Sequence, residues 1–423
     1  METRDIIIGV GLAGLIALLG VTAFTILSED TMPDYEYLEY VPIEDFGDVD
    51  AVSGCAEVAE VAGKRYLRMA DVGEFAVYGG GKSRTFTVGP ARIDLFLLTG
   101  QSNSCYYTSP QFWPDGSGTV PEHDPGESPL EPGTAFYLGV PEYSGTLGGV
   151  ATSSNLARSG VVDMTAPDGS IRLSQTYPVL MYDWIKETGH RVMVINSGIG
   201  GRAISTFMDG GQCYNWTMQV VQRAAEVLDP EHFDYTPVAV LWSQGEADKT
   251  TPVAAYEERL ETLIGYFTGG VFGIAFPVML SSLPTYFNQD HPFNSSQAQE
   301  NVASYDERFR IASYLPKYLP YDAYQPWFRD GVHHYTQLMY DWMGEAFARE
   351  AAKAAGFQPV TETIAYVPDA VEGQASLLAY GTSGTAYAIE VTWEDGEATV
   401  VMTPSGTSMS PSVAIIAQEV QEP

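Results

Sequence analysis

The chain has 423 residues, of which 54 are acidic and 21 basic, and its formal net charge is −33. This length allows two or three domains, and a hydrophobic content of 45% argues against disorder. The scarcity of basic residues excludes a phosphate-binding surface, so we expect no nucleic-acid partner. The acidic excess fits two kinds of protein, one adapted to high salt and an ordinary acidic extracellular one.

Residues 1–30 are predicted to form an N-terminal membrane anchor or hydrophobic helix. Residues 6–27 carry no charge and are numerous enough to cross a bilayer as a helix. Arg4 precedes this segment and acidic residues follow it, which favours the bulk of the chain lying outside at the cell surface or envelope. No small-residue cleavage site follows the segment, which favours an uncleaved anchor. The alternative is a helix packed into a filament or an envelope, where it would drive self-assembly.

Two further features concern location. The sequons Asn215-Trp216-Thr217 and Asn294-Ser295-Ser296 fit an extracellular glycoprotein. Three cysteines are too few for a disulfide framework. Cys105 and Cys213 each lie just beyond a candidate active-site loop, so one possibility is a disulfide between them, and the other is unpaired buried thiols.

The pattern of elements predicts an α/β domain between two β-rich segments. Residues 31–90 are interpreted as an acidic linker and a small β-rich region, with strands at 76–78 and 85–88. From residue 91, apolar strands alternate with helices, which predicts a parallel sheet with right-handed crossovers. The strands are expected at 93–98, 192–195, 237–242 and 276–280, and the helices at 178–187, from 251 onwards and at 336–355. Residues 104–175 are rich in Pro, Gly, Ser and Thr and are predicted to be long loops over the mouth of the sheet.

Residues 357–423 return to a β pattern. Strands are expected at 376–380, 386–392 and 398–402, separated by turns that contain Gly and Asp. The segment is long enough for a small β-sandwich-like domain.

The candidate chemistry lies where the predicted parallel strands end. The strand at 93–98 leads into Thr99-Gly100-Gln101-Ser102-Asn103. Ligands of open parallel sheets bind beyond the carboxyl ends of the strands, which makes Ser102 a candidate nucleophile. A serine in an ordinary turn is the alternative.

Two other strand ends supply hydrogen-bond donors. The strand at 192–195 leads into Asn196-Ser197-Gly198-Ile199-Gly200-Gly201-Arg202, whose glycines would let a backbone N–H face a substrate. The strand at 237–242 leads into Ser243-Gln244-Gly245-Glu246-Ala247-Asp248. The Gln244 amide there can donate to a developing oxyanion. The alternatives are a tight turn for the glycines, a loop-bracing amide, and a helix cap for Asp248.

Asp330-Gly331-Val332-His333 stands just before the last predicted helix. A turn can bring Asp and His three residues apart together, so that the carboxylate orients the imidazole. His333 would then take the proton from Ser102 and return it to the leaving alcohol. His334 is the adjacent competitor, and a plain surface turn is the other interpretation.

Taken together, these motifs resemble a known family. In this order, Gly100-Gln101-Ser102-Asn103, Gly200-Gly201, Trp242-Ser243-Gln244-Gly245-Glu246 and Asp330-Gly331-Val332-His333 are similar to the blocks of the sialate O-acetylesterase and acetylxylan-esterase family within the SGNH hydrolases. The resemblance covers residues 91–356. It implies a three-layer, flavodoxin-like α/β domain with a parallel sheet.

The resemblance also implies site roles. Ser102, His333 and Asp330 would form the catalytic triad, and the Ser102 and Gly201 amides with the Gln244 side chain would form the oxyanion hole. Gly200 is a rival to Gly201. Candidate substrate contacts are Gln101, Asn103, Gly200, Arg202 and Glu246. Arg202 departs from the family, which often has a small hydroxyl residue there. It suggests an anionic sugar substrate, unless it braces a loop through Glu246 or Asp209.

The sequence therefore predicts a surface-anchored carbohydrate O-acetylesterase whose substrate is an acetylated glycan or sugar. Catalysis is expected to need no cofactor or metal, because no cluster of His, Cys and acidic residues has metal-ligand spacing. The absence of a Gly-x-Ser-x-Gly elbow argues against an α/β-hydrolase. The alternatives are a structural or adhesive surface, virion or filament protein with an esterase-like scaffold, and another SGNH activity such as a lipase-like or thioester hydrolase.

Overall fold

The computed structural model describes residues 39–53, 56–69, 71–105, 129–140, 149–284, 293–318 and 334–357, together with the backbone of five later strands. The hydrophobic segment at 6–27, the catalytic candidates Asp330 and His333, and Arg4 lie outside these residues. Among the helices of the described part, none combines the length and the apolar character that crossing a membrane requires.

Residues 39–88 form two small antiparallel sheets. One has the order β1-β4-β3 and the other β2-β5-β6. Both lie before the predicted α/β domain, and β5 and β6 contain the two strands expected from the sequence. The six strands are β1 (Glu39–Pro42), β2 (Ala51–Val52), β3 (Ala56–Val61), β4 (Lys64–Met69), β5 (Gly73–Gly79) and β6 (Lys82–Val88).

The predicted parallel sheet is confirmed. Its strand order is β10-β8-β11-β7-β12-β13-β14, with the two-residue β9 paired to β8. Six of its strands run parallel, and β9 and β10 run antiparallel to β8. The strands are β7 (Ala91–Gly100), β8 (Ala135–Val140), β9 (Gly149–Val150), β10 (Gly160–Asp163), β11 (Val192–Asn196), β12 (Phe233–Ser243), β13 (Met279–Ser282) and β14 (Phe309–Ser313).

Helices cover the sheet on both faces. Along β7, Leu95 and Leu97 belong to one buried cluster, and Phe96 and Leu98 belong to another on the opposite face, as the strand period of two requires. The first cluster contains α2, α3 and α4, and the second contains α1 and α6. The predicted three layers are therefore present. The helices are α1 (Tyr177–Thr188), α2 (Gln212–Val227), α3 (Val253–Thr268), α4 (Asn294–Tyr305), α5 (Leu315–Tyr318) and α6 (Gln337–Ala354).

The strand order places a topological switch at β7. If β8 is set aside, the parallel strands are ordered β11-β7-β12-β13-β14, so the chain leaves β7 for one side of the sheet and later continues on the other. This is the flavodoxin-like order, in which ligands bind beyond the carboxyl end of the switch strand. The residues that follow β7 therefore stand at the expected ligand position.

The prediction of continuous loops over 104–175 is wrong in part. β8 is buried at every residue and extends the sheet, and β10 pairs with it along the outer edge. A continuous apolar run, Ala-Phe-Tyr-Leu-Gly-Val, explains β8 because a strand covered on both faces needs no alternation. The Pro- and Gly-rich surroundings concealed this run. Residues 106–128 and 141–148 lie outside the described residues.

Other boundaries also differ from the sequence predictions. The strand expected at 276–280 begins at Met279, since Pro277 cannot donate to a sheet ladder. The strand β14 and the helices α2 and α4 were not predicted. The sequon residues Thr217 and Ser296 are buried within α2 and α4, whereas the acceptor Asn215 is exposed.

The expected C-terminal strands are present. They form one five-stranded sheet of order β18-β17-β16-β15-β19, and the β-sandwich itself stays a prediction. The strands are β15 (Glu362–Asp369), β16 (Ser376–Gly381), β17 (Ala386–Glu394), β18 (Glu397–Pro404) and β19 (Val413–Ala414).

Candidate active site

Ser102 opens a single 3₁₀ turn, Ser102–Ser104, directly beyond the carboxyl end of β7. The residue is 5% exposed, and its hydroxyl makes no hydrogen bond within the described part of the chain. The neighbouring hydroxyl of Ser104, by contrast, donates to the Gln101 carbonyl at 2.7 Å. A buried hydroxyl normally has a partner, so the free one at Ser102 is the group available to a base or a substrate.

The backbone around Ser102 is held by the neighbouring strand β12. The Gln101 amide donates to the Ser243 carbonyl at 2.8 Å. Gly100 has φ of +129°, and a Cβ there would collide with the Ser243 carbonyl oxygen. A glycine is therefore required at this position for the strand to turn sharply into the 3₁₀ turn.

The end of β11 contacts the same turn. The Asn196 amide donates to the Ser104 carbonyl at 2.7 Å and to the Tyr177 hydroxyl at 2.8 Å, and its oxygen accepts from the Gly198 amide at 2.7 Å. Gly198 lies so close to Ser104 that a Cβ would overlap the serine hydroxyl. Asn196 thus joins the nucleophile turn to the loop that follows β11, residues 198–204, which we call the glycine loop.

Gly200 and Gly201 are exposed at the rim of the sheet. Gly201 has φ of +67°, a backbone conformation that side chains rarely allow, and its amide donates no hydrogen bond among the described residues. Its position and free N–H are compatible with the predicted oxyanion role, which stays a prediction.

Gln244 is engaged on both sides of its amide. The Nε2 group donates to Asp248 Oδ2 at 2.6 Å and to the Arg202 carbonyl at 3.0 Å, with Gln101 Oε1 3.4 Å away. The Oε1 atom accepts from the Tyr256 hydroxyl at 2.6 Å. Both amide hydrogens are therefore occupied, and a direct bond to an oxyanion would require one of these contacts to break. The loop-bracing alternative describes this geometry better.

The alternative role suggested for Asp248, a helix cap, is not seen at α3. The helix starts after Pro252 without a side-chain cap. The Asp248 carboxylate instead accepts from the Ile204 amide at 2.7 Å, from Gln244, and from the Thr251 hydroxyl at 2.9 Å. These bonds connect the end of β12 to the glycine loop.

Glu246 is a buried carboxylate beside the nucleophile turn. Asn103 Nδ2 donates to Glu246 Oε1 at 2.9 Å, and the Tyr340 hydroxyl donates to Asn103 Oδ1 at 3.2 Å. The second oxygen, Oε2, is buried and accepts no hydrogen bond. Burial raises the pKa of Glu246, whereas the Asn103 hydrogen bond and the charge of His334 lower it. Asn103 and Glu246 therefore lie inside the site as a bonded pair.

Arg202 carries a guanidinium without a visible partner. Its Nε is buried and makes no hydrogen bond, and no ion pair joins it to Glu246 or Asp209 among the described residues. The proposed bracing by these carboxylates is therefore not seen. Arg202 lies close enough to Cys213 for its charge to favour the thiolate.

The histidine end of the site is described only from His334 onwards. The catalytic candidates Asp330 and His333 lie outside the described residues, and their roles stay predictions. His334 is half-buried, and its charge acts on the Glu246 carboxyl. The segment that enters α6 therefore lies near the buried carboxylate next to Ser102.

The structure contains no disulfide bond between Cys105 and Cys213. Burial raises the pKa of Cys105 to about 12 and also raises that of Cys213, so neither is poised as a thiolate at neutral pH. Cys105 donates to the Gln101 carbonyl at 3.3 Å, and Cys213 accepts from Thr206 at 3.1 Å. No disulfide joins Cys105 to Cys213 in this structure, and their pairing in the mature protein stays a prediction.

Three residues of this rim were not predicted from the sequence as parts of the site. They are Asn196, Asp248 in its bridging role, and Tyr340. Asn196 could have been found as a polar residue at the end of an apolar strand. Nothing in the sequence pairs Asp248 with Ile204 or Tyr340 with Asn103, because these contacts depend on the tertiary fold.

The fold and the rim place a buried serine at the switch point of a flavodoxin-like α/β sheet. Residues 174–353 match the family model described as carbohydrate esterase, sialic acid-specific acetylesterase, so this segment is similar to that family. The match confirms the predicted resemblance and the prediction that the protein is an esterase. It includes the glycine loop, the end of β12 and the Asp330–His333 motif, whereas Ser102 precedes it.

Structural similarities are distant, and no curated protein matches the chain significantly. A protein from Arabidopsis thaliana is 16% identical with a TM-score of 0.42, covering 62% of this chain and 98% of its own. A carbohydrate acetylesterase from Xanthomonas citri is 17% identical with a TM-score of 0.40, covering 88% of this chain and 92% of its own. A family two carbohydrate esterase from Clostridium thermocellum is 11% identical with a TM-score of 0.32, covering 71% and 73%. At these scores the likenesses carry no inference about substrate.

Proposed function

We propose that this protein is a carbohydrate O-acetylesterase that hydrolyses acetyl esters on sugars. Ser102 attacks the acetyl carbonyl, and its proton passes to His333, which Asp330 orients. The proton then goes to the leaving sugar oxygen, and water hydrolyses the acetyl-enzyme to release acetate. The Ser102 and Gly201 amides stabilise the tetrahedral oxyanion.

One observation carries the proposal. The buried hydroxyl of Ser102 makes no hydrogen bond to the described residues, and it stands at the switch point of the sheet beside the bonded pair Asn103 and Glu246. The family match over residues 174–353 supports acetyl esters of sugars as the substrate class. It also supports roles for Asp330 and His333, which lie inside the matched segment.

The test is hydrolysis of a fluorogenic acetyl ester and of acetylated sugars by wild type and Ser102→Ala. Loss of the nucleophile should lower kcat by about three orders of magnitude or more. Ser154→Ala removes an exposed hydroxyl far along the chain and serves as the control. An Ser102→Ala variant with wild-type rates would refute the mechanism. An acyl-chain series should show loss of activity beyond short chains, whereas a lipase-like enzyme would prefer longer ones.

Arg202 refines the substrate class. Arg202 belongs to the glycine loop, and its guanidinium, whose Nε is buried and unbonded, can bind a carboxylate on the sugar, such as those of uronic and sialic acids. Arg202→Gln should raise KM for anionic acetylated sugars about tenfold and leave neutral ones unchanged. Arg92→Gln, at an exposed arginine of β7, is the matched control. Equal KM changes for both sugar classes would remove the idea.

The surface anchor is a separate proposal. Residues 6–27 are uncharged and long enough to span a bilayer, and their flanking charges favour an outside location for the enzyme. Full-length protein should pellet with membranes after carbonate washing, and a variant lacking residues 1–30 should stay in the supernatant. Recovery of both in the supernatant would contradict anchoring.

A further inference from the structure

The turn at the end of β12, residues 243–248, contacts the nucleophile turn, which carries Ser102, and the glycine loop, which carries the proposed oxyanion donor Gly201. On one side, the Ser243 carbonyl accepts from the Gln101 amide at 2.8 Å, and the Ala247 amide donates to Gln101 Oε1 at 3.1 Å. On the other side, Gln244 donates to the Arg202 carbonyl at 3.0 Å. The 243–248 turn therefore connects the nucleophile turn to the glycine loop.

Asp248 makes the strongest of these connections. The residue is 2% exposed, and its Oδ2 atom accepts from the Ile204 amide at 2.7 Å and from Gln244 Nε2 at 2.6 Å. Hydrogen bonds to a carboxylate are about twice as strong as neutral ones. Asp248 Oδ2 thus binds the end of the glycine loop directly, through the Ile204 amide. It also orients the Gln244 side chain, which in turn binds the Arg202 carbonyl of the same loop.

Buried hydrogen bonds also hold the side-chain oxygen and the backbone carbonyl of Gln244. The Tyr256 hydroxyl donates to Gln244 Oε1 at 2.6 Å, which distinguishes the oxygen from the nitrogen side of the amide. Gln299 Nε2 donates to the Gln244 carbonyl at 3.0 Å. Since both ends of the side chain are bonded, Gln244 cannot rotate without leaving a buried polar group unpaired.

We propose that Asp248 is a positioning residue for catalysis, which acts through Gln244 and Ile204 to fix the Gly201 amide relative to the Ser102 hydroxyl. The proposal rests on the proposed acetylesterase function. The contacts that start at Asp248 reach the Arg202 carbonyl and the Ile204 amide, which follow Gly201 in the same loop. A donor displaced by a fraction of an ångström loses much of its effect on an oxyanion. The oxyanion forms only in the transition state, so the loss falls on kcat rather than on KM.

The test compares Asp248→Ala, Asp248→Asn and Thr251→Val with wild type on a fluorogenic acetyl ester. Asp248→Ala removes the acceptor and should lower kcat about 10- to 100-fold with KM within about twofold. Asp248→Asn keeps an oxygen for Ile204 and Gln244 and turns its NH₂ toward the Thr251 hydroxyl, which can accept. It should restore most of the rate. Thr251→Val breaks only the Oδ1 contact and should stay within about twofold of wild type.

The readouts separate positioning from loss of folding. Folded fraction is measured by circular dichroism at the assay temperature, and kcat is expressed per folded molecule. A wild-type kcat for folded Asp248→Ala would overturn the proposal, as would an Asp248→Asn variant as slow as Asp248→Ala, or a change confined to KM. If Ser102→Ala hydrolyses the ester as fast as wild type, the proposed function fails instead, whatever the Asp248 variants do.

Discussion

The two ends of the central sheet are built from opposite kinds of polar contact. At the carboxyl end, Gln101, Gln244 and Asp248 are at most 2% exposed and bond to one another or to buried backbone. At the amino end, the small N-terminal sheets meet the α/β domain through ion pairs that water reaches. Glu39 pairs with Arg191, whose side chains are 30% and 25% exposed, and Lys64 pairs with Glu131, whose side chains are 52% and 60% exposed.

The difference follows from what each end must hold. A catalytic rim has to keep a hydroxyl and amide donors within tenths of an ångström, and buried hydrogen bonds do this because breaking one leaves an unpaired polar group at a cost of about 1–3 kcal/mol. Exposed ion pairs contribute about 0–1 kcal/mol each and tolerate movement. We therefore expect substitutions at the carboxyl end to be severe and substitutions at the amino end to be mild and dependent on pH or salt.

The largest effect is expected from Gly100→Ala at the carboxyl end. The backbone there has φ of +129°, and the new Cβ would collide with the Ser243 carbonyl that also accepts from Gln101. Strain and overlap together should lower the free energy of unfolding by about 3 kcal/mol or more, and displace Ser102 from its position. Urea unfolding and the rate of acetyl-ester hydrolysis measure the two consequences.

Gly89→Ala is the matched control for this prediction. It lies between β6 and β7 toward the amino end of the sheet, has no left-handed backbone, and a Cβ there meets nothing within 4 Å. It should change stability by no more than about 0.5 kcal/mol. If both variants lost a comparable free energy of unfolding, the carboxyl end of the sheet would not be more sensitive to substitution than the amino end.

The sequence was sufficient to predict the sheet and the motifs at its carboxyl end. Apolar runs such as the one in β7 identify strands without tertiary information, and the family resemblance then predicts roles for Ser102 and for the other motifs. The strand β8 carries the same kind of run, yet the surrounding Pro and Gly led to its interpretation as loop. Composition averaged over 72 residues hides a six-residue strand.

The direction of a buried side chain could not be predicted. The site role of Gln244 stays a prediction, and the direction of its amide depends on Tyr256, which places a donor beside its oxygen, and on Asp248, which places an acceptor beside its nitrogen. Asp248 and Ile204 are 44 residues apart in the chain and are joined only by the packing of two strand ends. Local patterns contain no information about such pairings.

The smallest effect is expected at the amino end, from His232. Its ring contacts Asp229 at 2.9 Å within its own loop and Asp71 at 3.0 Å in the N-terminal segment. Burial alone would lower the pKa of His232, but the two carboxylates more than offset it and raise the pKa above 6.5. A raised pKa in the folded state means that the folded protein binds the proton more tightly than the unfolded chain.

The stabilisation from His232 should therefore be fully present below about pH 6.5 and be lost as the pH rises through the higher folded-state pKa. His232→Gln should lower the free energy of unfolding by about 0.5–1 kcal/mol at pH 5.5 and by less at pH 9. Asp71→Asn removes one of the two carboxylates and should make the free energy of unfolding depend less on pH, without abolishing that dependence. Urea unfolding at the two pH values measures both, and a destabilisation by His232→Gln that is equal at pH 5.5 and pH 9 would show that the amino end is held by packing rather than by charge.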